Sequence, residues 1–173
     1  INGAFIIAFA PLFIKLWRWL EARGREPSVP AKFALGLTLL GLAFLVFVFG
    51  IEGALAGGGM IGLAWMVACY LLMTLGELCI SPVGLSMIRK LAPEGQANVC
   101  MGAWFMTFAA GHLLSGWIAA STSMEAATVG SSAELGRFAE VFSQVGVAAL
   151  GLAALLAVLT RRVARMIDGV EPG

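Results

Sequence analysis

Charged residues are scarce in this chain. Lysine, arginine, aspartate and glutamate make up 12% of its 173 residues, whereas 60% of them are hydrophobic. An average soluble domain is about 25% charged and roughly 45–50% apolar. The composition therefore predicts a polytopic membrane protein. No basic block stands outside the predicted loops, so no nucleic-acid partner is expected.

Residues that bind metals or act as nucleophiles are also few. The three cysteines, Cys69, Cys79 and Cys100, show neither CxxC nor Cys/His spacing, and we interpret them as packing residues. The single histidine, His112, has no carboxylate within helical reach, and no phosphate loop is present. We therefore expect no enzyme activity and no cofactor or metal.

The chain does not begin with methionine. Ile1 opens directly into an apolar run, without the basic segment and cleavage site of a signal peptide. We expect it to be the C-terminal part of a longer protein.

Five apolar runs are long enough to cross a bilayer, whose hydrocarbon core of about 30 Å needs about 20 helical residues. They cover residues 2–19, 31–50, 60–89, 97–119 and 141–163. The connections between them are charged (20–30), glycine-rich (51–59), short (90–96) or polar and mostly acidic (120–140), and a tail covers 164–173. The predicted fold class is an all-α membrane helix bundle.

Basic residues predict the orientation of this bundle. Of the eleven, only Arg137 lies on one side, and the other ten lie on the opposite side: Lys15, Arg18, Arg23, Arg25, Lys32, Arg89, Lys90, Arg161, Arg162 and Arg165. Short cytoplasmic loops collect Lys and Arg. The C-terminus is therefore predicted to be cytoplasmic.

The third run carries an acidic residue, Glu77, and a proline, Pro82, and both are unusual inside a membrane helix. Glu77 lies near its centre, where insertion of an acidic side chain costs roughly 2.5–3.5 kcal/mol, so such residues are functional candidates. Ser81 shares its helix face, and Pro82 leaves the carbonyl of Leu78 without its helical partner. Such a carbonyl is tolerated where it is buried in protein or faces water, which favours a hydrated cavity. A structural, hydrogen-bonded carboxyl is the alternative for Glu77.

Other residues at membrane depth have structural interpretations, and two of them also have functional ones. Gly76 and Gly84 are typical of close helix approach. Trp104 is either a packing residue or a cavity wall. His112 makes a helix–helix hydrogen bond or belongs to a proton relay. These observations indicate a transporter or channel without naming its substrate.

Two stretches carry a family resemblance. "GELCISPVGLSMIRKLAP" and "MGAWFMTFAAGHLLSGWIA" resemble the tenth and eleventh helices of the proton-dependent oligopeptide transporters, a branch of the major facilitator superfamily. "INGAFIIAFAPLFIKLW" resembles the eighth helix, which usually reads INP, and "REPSVPAKFALGLTLLGLAFLV" the ninth with the connection before it. His112 stands where asparagine is usual.

The resemblance implies a fold and an activity. The five runs would be helices eight to twelve of the C-terminal six-helix bundle of a transporter in the cell membrane. Helix seven and the N-terminal six-helix bundle would be its partners. The implied activity is uptake of di- and tripeptides together with protons.

The resemblance also implies site residues. Asn2 and Glu77 would receive the amino terminus of the peptide, and Ser81 and Trp104 would line the same pocket. Leu85 would belong to the inner gate, with Pro82 and Gly84 at the bend that moves it. Two alternatives stay open: transport of another small solute such as an amino acid or nitrate, and a truncated membrane protein without transport activity.

Overall fold

The structure, a computed structural model, describes residues 2–57, 61–122 and 132–168. All regular secondary structure in these three ranges is helical. The helices are α1 (Asn2–Ala22), α2 (Val29–Gly57), α3 (Leu63–Leu91), α4 (Ala97–Thr122) and α5 (Ser132–Asp168). Each is long and apolar enough to cross a membrane. The predicted all-α class is confirmed.

All five helices extend beyond the predicted runs, and α2 and α5 do so by the most residues. α2 continues to Gly57 through most of the connection predicted at 51–59, and α5 begins at Ser132, inside the connection predicted at 120–140. Ile51 is fully buried and Ala54 nearly so, which stabilises the last turns of α2. Phe138 stacks on Phe142, which ties the first turns of α5 to its apolar part. The predicted tail at 164–173 is helical to Asp168, and its last residues lie outside the described part.

A glycine closes the C-terminal end of α1. Gly24 has a φ of 63°, its N–H donates to the carbonyl of Glu21 at 2.9 Å, and the N–H of Arg25 donates to the carbonyl of Leu20 at 2.9 Å. This pattern is a Schellman motif, in which a left-handed residue closes the helix. It turns the chain toward α2 within six residues.

α2 lies between α3 and α5 and carries most of the buried residues. Small residues allow its backbone to approach α5: a methyl group on Gly41 would lie 2.9 Å from the carbonyl oxygen of Gly146. Phe142 of α5 stacks on Phe44 with ring centroids 5.6 Å apart and meets Phe47 edge-on at the same separation. Close backbones and aromatic pairs thus hold α2 and α5 together.

A buried lysine lies at the start of α2. The side chain of Lys32 is 8% exposed, and its ammonium pairs with Glu26 at 2.5 Å. The same ammonium lies 4.7 Å from the ring centroid of Trp17 on α1. The connection between α1 and α2 is therefore held by a charge pair and a cation–π contact.

α1 and α4 are the most exposed helices. α1 has no buried residue in the described part and packs mainly against α3. Along α4, large apolar side chains such as Met106, Leu113 and Trp117 are exposed. His112 is also exposed, and its backbone carbonyl accepts a hydrogen bond from Ser115. The site described next lies where α1 and α4 meet α3.

Candidate functional site

A cavity of about 310 Å³ opens between α1, α2, α3 and α4. Its walls are mostly apolar, with a few polar side chains that converge on it. It is lined by Asn2, Gly36, Leu40, Tyr70, Met73, Gly76, Glu77, Ile80, Ser81, Trp104 and Phe108. All four residues predicted for the pocket, Asn2, Glu77, Ser81 and Trp104, thus line one cavity.

Glu77 is the acidic side chain of this cavity. It is exposed in the described chain, and its Oε2 accepts a hydrogen bond from Nδ2 of Asn2 at 3.2 Å. An ionised carboxylate only accepts hydrogen bonds, so the Asn2 amide turns its nitrogen toward it. The contact joins the first turn of α1 to the middle of α3.

Asn2 is held from its other side by Thr74. The Thr74 hydroxyl lies 2.6 Å from Oδ1 of Asn2 and 2.8 Å from the carbonyl oxygen of Tyr70, one turn earlier on α3. Thr74 is fully buried, whereas Asn2 is exposed. A chain of side-chain hydrogen bonds thus runs from the interior at Thr74 through Asn2 to Glu77.

Trp104 forms the wall contributed by α4. It is half-buried, and its ring meets that of Phe108 edge-on at a centroid distance of 6.1 Å. On α3 it faces Gly84, where an added methyl group would lie 2.7 Å from Cζ2 of the indole. The packing interpretation and the cavity-wall interpretation of Trp104 are therefore both correct.

Glycine also forms the wall between α2 and α3. A methyl group on Gly36 would lie 2.8 Å from the carbonyl oxygen of Gly76, and one on Gly76 would lie 2.8 Å from that of Gly36. The two backbones touch beside Glu77. The close helix approach predicted for Gly76 is confirmed, whereas Gly84 makes room for the ring of Trp104 and not for the backbone of another helix.

The predicted gate residues lie on the last turns of α3. The helix remains α-helical through Pro82 to Leu91, with Pro82 exposed and Leu85 half-buried. Ser81, half-buried, lies one turn after Glu77 on the cavity side. A bend at Pro82 that moves Leu85 stays a prediction.

A match to a protein-family model assigns the chain to a family. Residues 1–135 match the model described as "PTR2: POT family", which is more than half of the chain. The chain belongs to the POT family. The resemblance seen in the sequence is thereby confirmed.

Two curated proteins are similar to this chain over almost its whole length. The "Uncharacterized transporter YclF" of Bacillus subtilis is 34% identical over 171 residues, which are 98% of this chain and 32% of that protein. The "Dipeptide and tripeptide permease A" of Chromobacterium violaceum is 35% identical over 172 residues, which are 99% of this chain and 34% of that protein. The chain thus spans about a third of the length of these relatives.

A solved structure shows the same arrangement of helices. The crystal structure of a "peptide transporter POT in complex with sulfate" has a TM-score of 0.78 and is 35% identical. The similarity covers 95% of this chain and 30% of that one. The major facilitator type of fold is therefore confirmed for this POT family chain.

Several wall residues of this POT family chain were not among the sequence-based candidates. Tyr70, Met73 and Ile80 line the cavity, and the hydroxyl of Thr74 bonds to Asn2 in its wall. They are three, four or seven residues from Glu77, and these spacings put them on its side of the helix. Helical periodicity around Glu77 was the available signal. The contribution of Gly36 and Leu40 depends on the approach of α2, which has no local signal.

A second cavity of about 240 Å³ lies between α2, α3 and α5. It shares Tyr70 and Met73 with the first cavity. Its other walls are aromatic or sulfur-containing side chains without a charge: Phe44, Phe47, Met66, Cys69 and Phe142. The carboxylate therefore distinguishes the first cavity as the candidate site for a polar ligand.

Proposed function

We propose that this chain forms part of a proton-coupled transporter of di- and tripeptides that works by alternating access. In this proposal Glu77 and Asn2 receive the amino terminus of the peptide, and Ser81 and Trp104 line the remainder of the pocket. The observation that carries the proposal is the Glu77 carboxylate, which faces a largely apolar cavity together with Asn2.

The chemistry of the cavity supports a ligand with a positive charge. In an environment of low dielectric constant, a carboxylate attracts an ammonium group more strongly than it does in water. The Glu77 carboxylate accepts one hydrogen bond from Asn2 and has capacity for more. An ammonium group has three donors, so it fits the remaining acceptor positions.

The apolar walls support a broad choice of side chains. Leu40, Met73 and Phe108 offer no fixed hydrogen-bond partner for the side chain of a particular peptide. Methionine adapts to ligands of different shapes because its side chain is unbranched and polarizable. Recognition of a terminus by Glu77, with adaptable walls beyond it, suits a family of peptides better than one sequence.

In an alternating-access cycle, the last turns of α3, from Pro82 onward, would act as a gate. In the proposal, the helix bends near Pro82 and Gly84 and moves Leu85 across the cytoplasmic end of the path. Proline removes one helical hydrogen bond at this point, and Gly84 carries no side chain that would resist movement of Trp104. The protein would span the cell membrane with its C-terminus in the cytoplasm.

Uptake by the protein at its natural length, reconstituted into liposomes, tests the proposal. We expect an inward proton gradient to drive uptake of a labelled dipeptide. The variant Glu77→Gln should raise the KM for the peptide at least tenfold, because an amide carries no charge to pair with the ammonium. Glu52→Gln changes an exposed glutamate of α2 outside the cavity and is the matched control.

The solutes that are taken up distinguish a peptide transporter from the two alternative functions. Uptake of a free amino acid but not of a dipeptide would favour a transporter of another small solute, and so would uptake of nitrate. Absence of uptake for all three, in a folded protein, would favour a membrane protein without transport activity. If Glu77→Gln transported the dipeptide with unchanged KM, the role of Glu77 would be refuted.

A further inference from the structure

Thr74 differs from Thr38, Thr107 and Thr160, the other threonines whose side chains the structure describes. Thr38, Thr107 and Thr160 each bond through the hydroxyl to a backbone carbonyl of their own helix. This is the ordinary behaviour of threonine in a helix. The Thr74 hydroxyl makes such a contact with Tyr70 and also reaches Asn2 on α1 at 2.6 Å.

The direction of these hydrogen bonds determines how the Asn2 amide is oriented. Glu77 requires a donor, and Nδ2 of Asn2 supplies it at 3.2 Å. The amide oxygen then points to the Thr74 hydroxyl, whose single proton is shared between Oδ1 of Asn2 at 2.6 Å and the carbonyl oxygen of Tyr70 at 2.8 Å, the shorter distance being that to Asn2. In the reversed orientation, the amide oxygen would face the carboxylate and two acceptors would oppose each other.

Burial makes Thr74 the fixed end of this chain of hydrogen bonds. Thr74 is fully buried, and threonine is β-branched, so its χ1 angle has few alternatives. Asn2 is exposed and lies on α1, a helix without buried residues in the described part. The orientation of Asn2 therefore depends on Thr74 more than on its own packing.

We propose that Thr74 is a positioning residue of the peptide site, whose hydroxyl holds the Asn2 amide with its nitrogen toward Glu77. Through Asn2 it fixes the carboxylate that receives the peptide's ammonium group. This inference rests on the proposed function for its consequence in transport, but the contact itself can be tested without a peptide. Thr74 itself does not touch the peptide.

Three variants test the role in transport. Thr74→Val removes the hydroxyl and keeps a β-branched side chain, and we expect the KM for a dipeptide to rise about tenfold with kcat unchanged. A dipeptide with an acetylated amino terminus should be transported as poorly by this variant as by the original protein. Thr74→Ser restores the hydroxyl and should restore the KM. Thr38→Val, which loses only a bond within its own helix, should leave the KM unchanged.

A thermal-stability cycle without peptide separates this inference from the proposed function. The Tm in detergent is measured for Thr74→Val, Asn2→Ala and the double variant. Because both single changes break the same hydrogen bond, the Tm loss of the double variant should be smaller than the sum of the two. Absence of peptide transport together with this non-additivity would refute the proposed function and retain the contact.

Two results would overturn the inference. The first is a Tm loss that is additive in the cycle, together with an unchanged KM in Thr74→Val. The second is a KM in Thr74→Ser as high as that of Thr74→Val, because the hydroxyl would then not be the group that matters.

Discussion

The indole ring of Trp104 lies against the bare backbone of Gly84. A methyl group built on Gly84 would come within 2.7 Å of Cζ2 and 2.8 Å of Cη2 of the indole, which are too short for real contacts. The same ring lines the cavity that contains Glu77. The position of the indole therefore depends on the absence of a side chain at residue 84.

Gly84→Ala is expected to displace the indole and to impair the pocket. Overpacking of a well-packed contact typically costs about 1–3 kcal/mol. We expect a lower Tm in detergent and a KM for the dipeptide that is several-fold higher. Gly53→Ala is the control, because a methyl group on Gly53 meets no atom within 4 Å in the described part of the chain. A Gly84→Ala protein with the Tm and KM of this control would contradict the prediction.

The ion pair between Lys32 and Glu26 predicts that replacing Glu26 alone destabilises the protein more than replacing both residues. Glu26→Gln leaves the ammonium group of Lys32, whose side chain is 8% exposed, without its charged partner. Glu26 itself is 40% exposed, so we expect a loss of about 1–2 kcal/mol, below the roughly 3–5 kcal/mol of a fully buried pair. Thermal stability in detergent measures this loss.

The double variant Glu26→Gln, Lys32→Met should recover most of the stability. Methionine keeps an apolar stem beside Trp17 and carries no charge that needs a partner, and replacement of both members of a buried pair is often neutral. Glu21→Gln, at an exposed site on α1, is the control for loss of a negative charge. A double variant less stable than Glu26→Gln would show that the lysine contributes more than its charge pair.

The predicted orientation can be tested by cysteine labelling in whole cells. A cysteine at Arg25 should react with a membrane-impermeant maleimide only after the cells are opened, because that connection collects basic residues. A cysteine at Glu52, an exposed position toward the other end of α2, should react in intact cells. The natural Cys69 and Cys79 are buried and should contribute little background, and the half-buried Cys100 is first replaced by serine. Labelling of Arg25→Cys in intact cells would reverse the proposed orientation.

Sequence reasoning predicted the helices well because they depend on local properties. Apolar length and turn residues predicted five helices, and the run around Glu77 and Pro82 indicated the family. The ends of α2 and α5 were wrong by several residues. Those turns are stabilised by packing and not by their own composition: Ile51 and Ala54 are buried at the end of α2, and Phe138 stacks on Phe142, which packs against Phe44 of α2.

The residues of the candidate site could be predicted in part, because the family pattern is visible in the sequence. The family pattern selected Asn2, Glu77, Ser81 and Trp104, and the structure brings all four to one cavity. Their roles toward a peptide remain predictions. The bond of Thr74 to Asn2 joins residues 72 positions apart, and the pair of Lys32 with Glu26 depends on burial. Neither contact has a signal in the spacing of residues.

The glycine contact between α2 and α3 limits how substitutions can change the size of the cavity. Gly36 and Gly76 meet through their backbones, so a side chain at either position has no rotamer that avoids the other helix. A larger residue there would push α2 away from Glu77 and would not simply fill space. The volume of the cavity therefore depends on the spacing of α2 and α3, whereas substitutions of wall side chains such as Leu40 or Ile80 can change it gradually.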